Sequence, residues 1–583
     1  MLYRQKKLDS MPQSSSWTGT PSIKGSTESI RMALLTFSLV GLQFTWGVEM
    51  TYCTPYLLQL GLTKSKTSLV WIAGPLSGLV MGPVIGVLAD NSKSKYGRRR
   101  PFMIGGAIVV AMGLLVLGWT REIVGFFIPE SDLRRVLTIT LAVFSIYLVD
   151  FAINAIQSTS RSLIVDTLPI PKQQKGSAWA SRMIAIGHLA GYGVSTLDLL
   201  KVLGSTLGDS QFKQCTVIAA LALLISVGVT SWAVDERVLI ASKDADVKNG
   251  AVKVVTKILK TTWNLPDRIR AICWVQFWSW IGWFPFLFYS STWVGETYYR
   301  YTPTASIADS SDPLGDIGRI GSLSLLIFSI VTFIGSVFLP FVVRSPDNDA
   351  KPGQRNFTPR PPAAIAPLAK LLHSSKPDLL TAWMLSHLIF AGSMFLAPFV
   401  RSLHMATILV SICGIPWALA CWAPFTFMGT EVNRMTAPST ILANGSSYRR
   451  LPNASDEFSG SASSPSLLRL NHLDRDLEED EENEDSSTGE TAGIYLGILN
   501  LFTTLPQFVG TFISMIVFEI LEPGRHPELH KGEDVEGKGE DDVVKKVTEG
   551  PNGIAVCLFI GAICAVGAAY ATQRMRGLYK RTR

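Results

Sequence analysis

The sequence predicts an all-α membrane protein of twelve transmembrane helices in two sets of six, and three observations predict it. A bilayer core of about 30 Å needs about 20 apolar residues per helix, and the 583-residue chain supplies runs of that length again and again. Charged residues make up only 17% and gather in short clusters between those runs. The mean hydropathy is +0.27, whereas a soluble chain this long divides into several domains with charged surfaces.

In order, the first six helices are expected near Met32–Leu60, Leu69–Ala89, Pro101–Thr120, Val136–Val165, Trp179–Leu203 and Val217–Val234. The second six are expected near Ile272–Thr292, Ile320–Val343, Leu379–Val400, Met405–Gly429, Ala492–Ile520 and Gly553–Ala571. The long first and fourth runs contain Pro or polar residues, so the count turns mainly on them. The domain plan is therefore a tail (1–31), a six-helix half (32–234), a polar linker (235–271), a second half (272–573) and a basic tail (574–583). Within the second half, residues 430–490 are rich in Ser, Asn, Asp and Glu, with an acidic run from Asp476 to Asp485. Such a stretch cannot bury enough apolar surface to offset the entropy of ordering, so it is expected to be a disordered, solvated insertion.

The first thirty residues are polar and Ser/Thr-rich with no apolar stretch before the first span, so no cleavable signal is expected and that span targets itself. Basic residues beside spans set orientation. Lys93, Lys95 and Arg98–Arg100 follow the second helix, Lys172 and Lys175 the fourth, and Arg574, Arg576, Lys580, Arg581 and Arg583 the last. All face one side if both termini are cytosolic, although Lys64 and Lys66 then sit in the first exterior loop. The charged segment 530–549 then lies outside, and the N-x-S/T matches at Asn356, Asn444 and Asn453 fall in the cytosol, where they escape glycosylation. The net charge of +7 is thus a topology signal and implies no nucleic-acid partner. All seven cysteines lie in or beside apolar runs without metal-ligand spacing, so no metal and no cofactor is expected. The loops carry no nucleophile motif or spaced His/Asp cluster, which speaks against an enzyme.

The most specific short motif runs from Gly86 through Asp90 to Gly97, Arg98 and Arg99, a G-x3-D-x4-[RK]-x-G-[RK]-[RK] pattern between helices two and three. A basic loop alone explains the arginines but not the Gly and Asp spacing. The pattern resembles the signature of the major facilitator superfamily, which implies a fold of two six-helix halves. Helix two also repeats glycine every fourth residue (Gly74, Gly78, Gly82, Gly86), which predicts close helix packing in lipid. Pro75 and Pro83 are expected to break its backbone ladder twice.

Helix four carries Asp150, Asn154, Gln157 and Arg161, spaced four, three and four. At 100° per residue the last returns to within about 20° of the first, so the four share one stripe. Charges inside a span are expensive and face the bundle interior or a water-filled cavity. An acid, two amides and a guanidinium suit a polyhydroxylated substrate, because amides and Arg donate while a carboxylate accepts and can also carry a proton. The competing reading is an internal Asp150–Arg161 network without substrate. Glu49 in helix one is a second intramembrane acid and the rival of Asp150 as proton carrier. Asp166, at the cytosolic end of helix four, is expected to pair with Arg182 in a gating or structural role, and His188 to be a packing residue.

These residues resemble the sucrose transporters of plants and their fungal and animal relatives, a glycoside–pentoside–cation symporter branch of the superfamily. The matching stretches are Gly41 to Trp46, Thr54 to Tyr56, Trp71 to Pro75, Asp90 through Phe102, Asp150 to Asn154 and Gln157 to Arg161. In the second half they are Trp280 to Phe286, Gly414 to Trp417, Ala423 to Phe425, Gly497 to Asn500 and Pro506–Gln507. The resemblance implies a proton-coupled carrier of a disaccharide, sucrose or a maltose-type α-glucoside. It ties the acid at Asp150 to coupling and the arginine at Arg161 to sugar binding. Trp46, Trp283 and Phe284 are then expected to stack on sugar faces. Plant members have Gln at Glu49 and a His at Lys64, and several of their charges after helix seven are missing from Tyr289 to Glu296. With the acidic insertion, the chain resembles the fungal side; inward proton symport suits the plasma membrane, with the vacuolar membrane as the alternative.

Overall fold

A computed structural model describes residues 16–90, 92–241, 256, 259–301, 313–344, 376–436, 486–522 and 552–581. The acidic run 476–485, the three N-x-S/T asparagines and the segment 530–549 lie outside the described residues.

The first half is built from α1 (Glu28–Thr36), α2 (Ser38–Gln59), α3 (Lys64–Val70), α4 (Ala73–Asp90), α5 (Arg100–Gly118), α6 (Thr120–Phe127), α7 (Asp132–Thr167), α8 (Ile170–Thr196), α9 (Leu199–Leu203) and α10 (Gln211–Ala233). The second half comprises α11 (Asp267–Tyr301), α12 (Pro313–Val342), α13 (Leu379–Phe395), α14 (Leu403–Ile412), α15 (Gly414–Thr436), α16 (Ser486–Leu521) and α17 (Gly553–Arg581). Each of the twelve expected runs falls on one or two helices, with breaks at Phe37, Trp71–Ile72, Trp119, Leu197–Asp198, Leu396 and Cys413.

Among the described residues, ten helical segments are long and apolar enough to span a bilayer, or eleven if α1 and α2, bent by 41° to each other, form one span. The expected twelfth is α8, which carries Ser177, Ser181, Arg182 and His188. It packs between α2 of its own half and α12 of the other. A helix in the seam between halves need not be apolar on that face, so α8 stays an expected span beside the ten or eleven that length and composition support.

The two halves repeat one packing scheme. In the first, α2 packs on α8 and α10, α5 on α7 and α10, and α4 on α7. In the second, α11 packs on α16 and α17, α13 on α15 and α17, and α12 on α15. Shifting each helix by six spans carries the first set onto the second. Among the contacts between halves, those of α3 and α4 against α16 and of α8 against α12 exchange under the same operation. The chain is therefore an integral multi-pass membrane protein with the two-half fold expected of the superfamily.

The glycine repeat of helix two is not a tight interface: a Cβ at Gly82 or Gly86 would meet nothing within 4 Å, and at Gly74 and Gly78 only ordinary contact. Close approaches occur instead where Gly282 meets the Gly561 carbonyl, 2.7 Å from an added Cβ, and where Gly414 meets that of Phe328, also 2.7 Å. Pro83 lies inside α4, whereas Pro75 occupies its first turn, where no ladder bond is lost.

At the end of the bundle that carries both termini, two short ribbons join the N-terminal tail to the start of the linker. Strand β1 (Ser16–Thr18) pairs with β4 (Val238–Ala241), and β2 (Ser22–Ile23) with β3 (Val234–Asp235), both antiparallel.

Candidate functional site

Two long helices bring the intramembrane acids together. Glu49 lies on α2 and Asp150 midway along α7, and each is only 4% exposed. They stand within electrostatic reach of each other and of Cys53. Glu49 Oε1, Asp150 Oδ2 and Trp46 Nε1 are buried with no hydrogen-bond partner among the described residues. Trp46 and Glu49 are three residues apart on α2 and so share a face. No lysine or arginine forms an ion pair with either acid among the described residues. One indole donor and two carboxyl oxygens are thus left open in the middle of the first half.

The rest of the stripe divides. The Asn154 amide donates to Ser77 Oγ on α4 at 2.8 Å and to its own helix at the Asp150 carbonyl at 3.0 Å, so it ties α7 to α4. Gln157 is half-buried. Arg161 is exposed, in charge-interaction range of Cys421 on α15 of the opposite half. Eleven residues along a helix separate Arg161 from Asp150 by about 16 Å, which rules out the direct Asp150–Arg161 network. The rotational stripe is real, but its ends serve different neighbours.

Two expected stacking residues sit elsewhere. Trp283 is 2% exposed, with Phe390 at 4.3 Å and Trp417 at 4.8 Å between ring centroids. Phe284 is 0% exposed and packs on Phe288 at 4.8 Å. Both belong to the core of the second half and offer no free ring face. His188 stacks on Tyr192, as a packing residue does.

The Gly86–Arg99 motif closes on α7 at the termini end. Arg98 Nη2 reaches Asp166 Oδ1 at 2.8 Å and Arg99 Nε reaches Asp166 Oδ2 at 2.9 Å. The expected Asp166–Arg182 pair is therefore replaced by this fork, and the Arg182 guanidinium lies over the Trp179 ring at 5.2 Å. Helix α4 ends at Asp90, whose side chain lies outside the description.

Sequence reasoning missed Glu236, just past β3. Its carboxyl accepts the backbone N–H groups of Arg98 (3.0 Å), Arg99 (2.8 Å) and Arg100 (2.8 Å), capping the start of α5. Burial pushes this carboxyl above its ordinary range although the three amides and Arg100 pull it down. Gly97 turns the loop at φ +103°, and a Cβ there would stand 2.8 Å from the Glu236 carboxyl. Gly97→Ala is expected to destabilise the protein by about 1–2 kcal/mol from the left-handed backbone alone. Thermal unfolding of the purified protein reads this, and an unchanged melting temperature would mean that the Gly97 turn does not hold the Glu236 cap of α5 in place.

Also missed was a buried ion triad at the opposite end. Lys64 Nζ on α3 meets Glu296 Oε1 of α11 at 2.6 Å and Glu522 Oε2, at the end of α16, at 3.0 Å. A signal was available, since all three charges fall at the same end once the helix ends are counted. Lys64 is thereby neutralised, so it does not count against the bias of basic residues toward the termini end.

The family model described as MFS/sugar transport protein matches residues 36–294. The chain is 28% identical to the general alpha-glucoside permease of Schizosaccharomyces pombe over 596 aligned residues, covering 94% of each chain. It is 25% identical to a sucrose transport protein of Arabidopsis thaliana, over 68% of this chain and 76% of that one. Among solved structures it is similar to a bacterial homologue of the human lysosomal transporter Spinster, with a TM-score of 0.55 and 14% identity over 96% of this chain and 99% of that one. That likeness is one of fold.

Proposed function

We propose that this chain is a membrane carrier of the MFS/sugar transport family and moves an α-glucoside such as sucrose or maltose together with a proton. The observation that carries the reading is the open cluster of Trp46 Nε1, Glu49 Oε1 and Asp150 Oδ2, buried on facing helices. A buried polar group without a partner costs about 1–3 kcal/mol, and a sugar hydroxyl, which donates and accepts, satisfies both kinds at once. The permease and sucrose-transporter relatives favour a disaccharide of this class.

The proton role falls to the two acids. An ionised carboxyl only accepts, whereas a protonated one also donates, so taking up a proton rewrites what the cluster offers a sugar. Asp150 is the proton carrier in this reading and Glu49 its partner. Arg161, with Gln157 one turn away, contacts the sugar between the halves, and Asn154 holds α7 in place on α4. Alternating access follows as a rocking of the halves about the α3/α4–α16 and α8–α12 seams. Both termini are assigned to the cytosol, because Arg98–Arg100, Lys172, Lys175 and the C-terminal basic residues share their end. Inward symport places the carrier in the plasma membrane.

The test is uptake of labelled sucrose and maltose into cells lacking their own carriers, with and without a protonophore. Uptake that collapses with the protonophore supports symport and identifies the sugar. Insensitive uptake makes the protein a facilitator and leaves Asp150 a binding role. No uptake, with the protein at the cell surface, redirects the assignment to another solute or to a sugar sensor.

A further inference from the structure

We propose that Lys64, Glu296 and Glu522 form the lock of the gate that closes the path at the end opposite the termini, and that breaking this triad opens that end. The proposal rests on the carrier reading above and adds to it the place where the two halves are held shut. Lys64 belongs to the first half, and both glutamates to the second. Their side chains are 12%, 13% and 7% exposed, so the charges are withdrawn from water. The seam beneath, lined by Thr54, Leu58, Thr67, Tyr289 and Phe518, leaves no room for a water molecule. The other oxygen of Glu522 accepts the N–H of Gly553 at 2.8 Å, so the triad also fixes the start of α17.

A second bridge joins the halves at the same end, from Arg319 Nη1 of α12 to Asp198 Oδ2 at the start of α9, at 2.6 Å. At the termini end, the ion pairs among the described residues stay within one half: Asp166 with Arg98 and Arg99, and Glu431 with Arg268. Every bridge between halves among the described residues is thus at one end, while Arg161 and Cys421 stand exposed between the halves.

Charge suits a lock better than an apolar seam does. A buried ion pair gains little net stability, because desolvation offsets its attraction, and opening returns all three charges to water at small net cost. Losing one partner is different. Without Lys64, two carboxylates face each other in the closed seam, and like charges at such range repel strongly. The closed state then suffers and the open state does not.

Cys421 supplies the reporter, since it is exposed and the other six cysteines are buried. A membrane-impermeant maleimide is added outside intact cells and Cys421 labelling is timed without sugar, with Cys421→Ser as the blank. Lys64→Met is expected to speed labelling at least about tenfold over the native chain, as a shift toward the outward-open population requires. Glu296→Gln is expected to act in the same direction, and exchanging the charges with Lys64→Glu and Glu296→Lys to restore slow labelling. If Lys64→Met does not reach the surface, Glu296→Gln decides. Native-rate labelling of the surface-expressed variants overturns the lock. Faster labelling in a protein that takes up no sugar keeps the lock and sinks the carrier reading, whereas unchanged labelling with normal uptake does the reverse.

Discussion

Asp150→Asn is expected to abolish uphill accumulation of the sugar while leaving sugar exchange across the membrane intact. The residue sits midway along α7, 4% exposed, with Oδ2 unpartnered and Glu49 within electrostatic reach. Asn keeps the shape and both hydrogen-bonding capacities but cannot release a proton, so the sugar still binds and crosses but no longer follows the proton gradient. The measurement is the steady-state ratio of internal to external sugar, set beside counterflow in preloaded cells. The ratio is expected to collapse to equilibration while counterflow persists. Glu49→Gln is the companion: retained accumulation there assigns the proton to Asp150, and the converse result assigns it to Glu49. Full, pH-dependent uphill uptake by Asp150→Asn would remove Asp150 from coupling altogether.

The second large effect is expected at Arg161. A hydrogen bond to a charged group contributes about 1.5–3 kcal/mol, and the guanidinium presents its donors in a planar fork that an ammonium cannot reproduce. Arg161→Ala is therefore expected to raise the KM for sugar by about tenfold to hundredfold, and Arg161→Lys to recover only part of it. Because Arg161 is exposed and pairs with no acid among the described residues, the change removes no structural bridge, and the amount at the surface is expected to hold. A KM within about twofold of the native value, at equal surface level, would take Arg161 out of the binding site.

Which polar residues share a helix face was legible in the sequence, and the limits of that reading have physical reasons. Periodicity placed Asp150, Asn154, Gln157 and Arg161 on one stripe, since angle follows from spacing alone. It did not say what stands opposite each turn, and α7 meets Glu49 at Asp150, Ser77 at Asn154 and the other half at Arg161. Trp283 and Phe284 show the converse. An aromatic run in a span reads alike whether its rings line a path or pack inside one half, and here they pack. Glu236 escaped notice because its partners are backbone amides 136 to 138 residues away, which no side-chain pattern records.

By itself, the sequence determined the membrane class, the order of the long apolar helices and which acids lie within them. Those follow from the thickness of the bilayer and the cost of charge within it, which act on each segment separately. Only the tertiary structure decided that Asp166 belongs to Arg98 and Arg99 rather than to Arg182, that Glu49 and Asp150 share one unpartnered cluster, and that Lys64 bridges the halves. Each of these is a pairing between distant segments, fixed by which helices pack together, and a buried charge takes the partner that packing brings within reach.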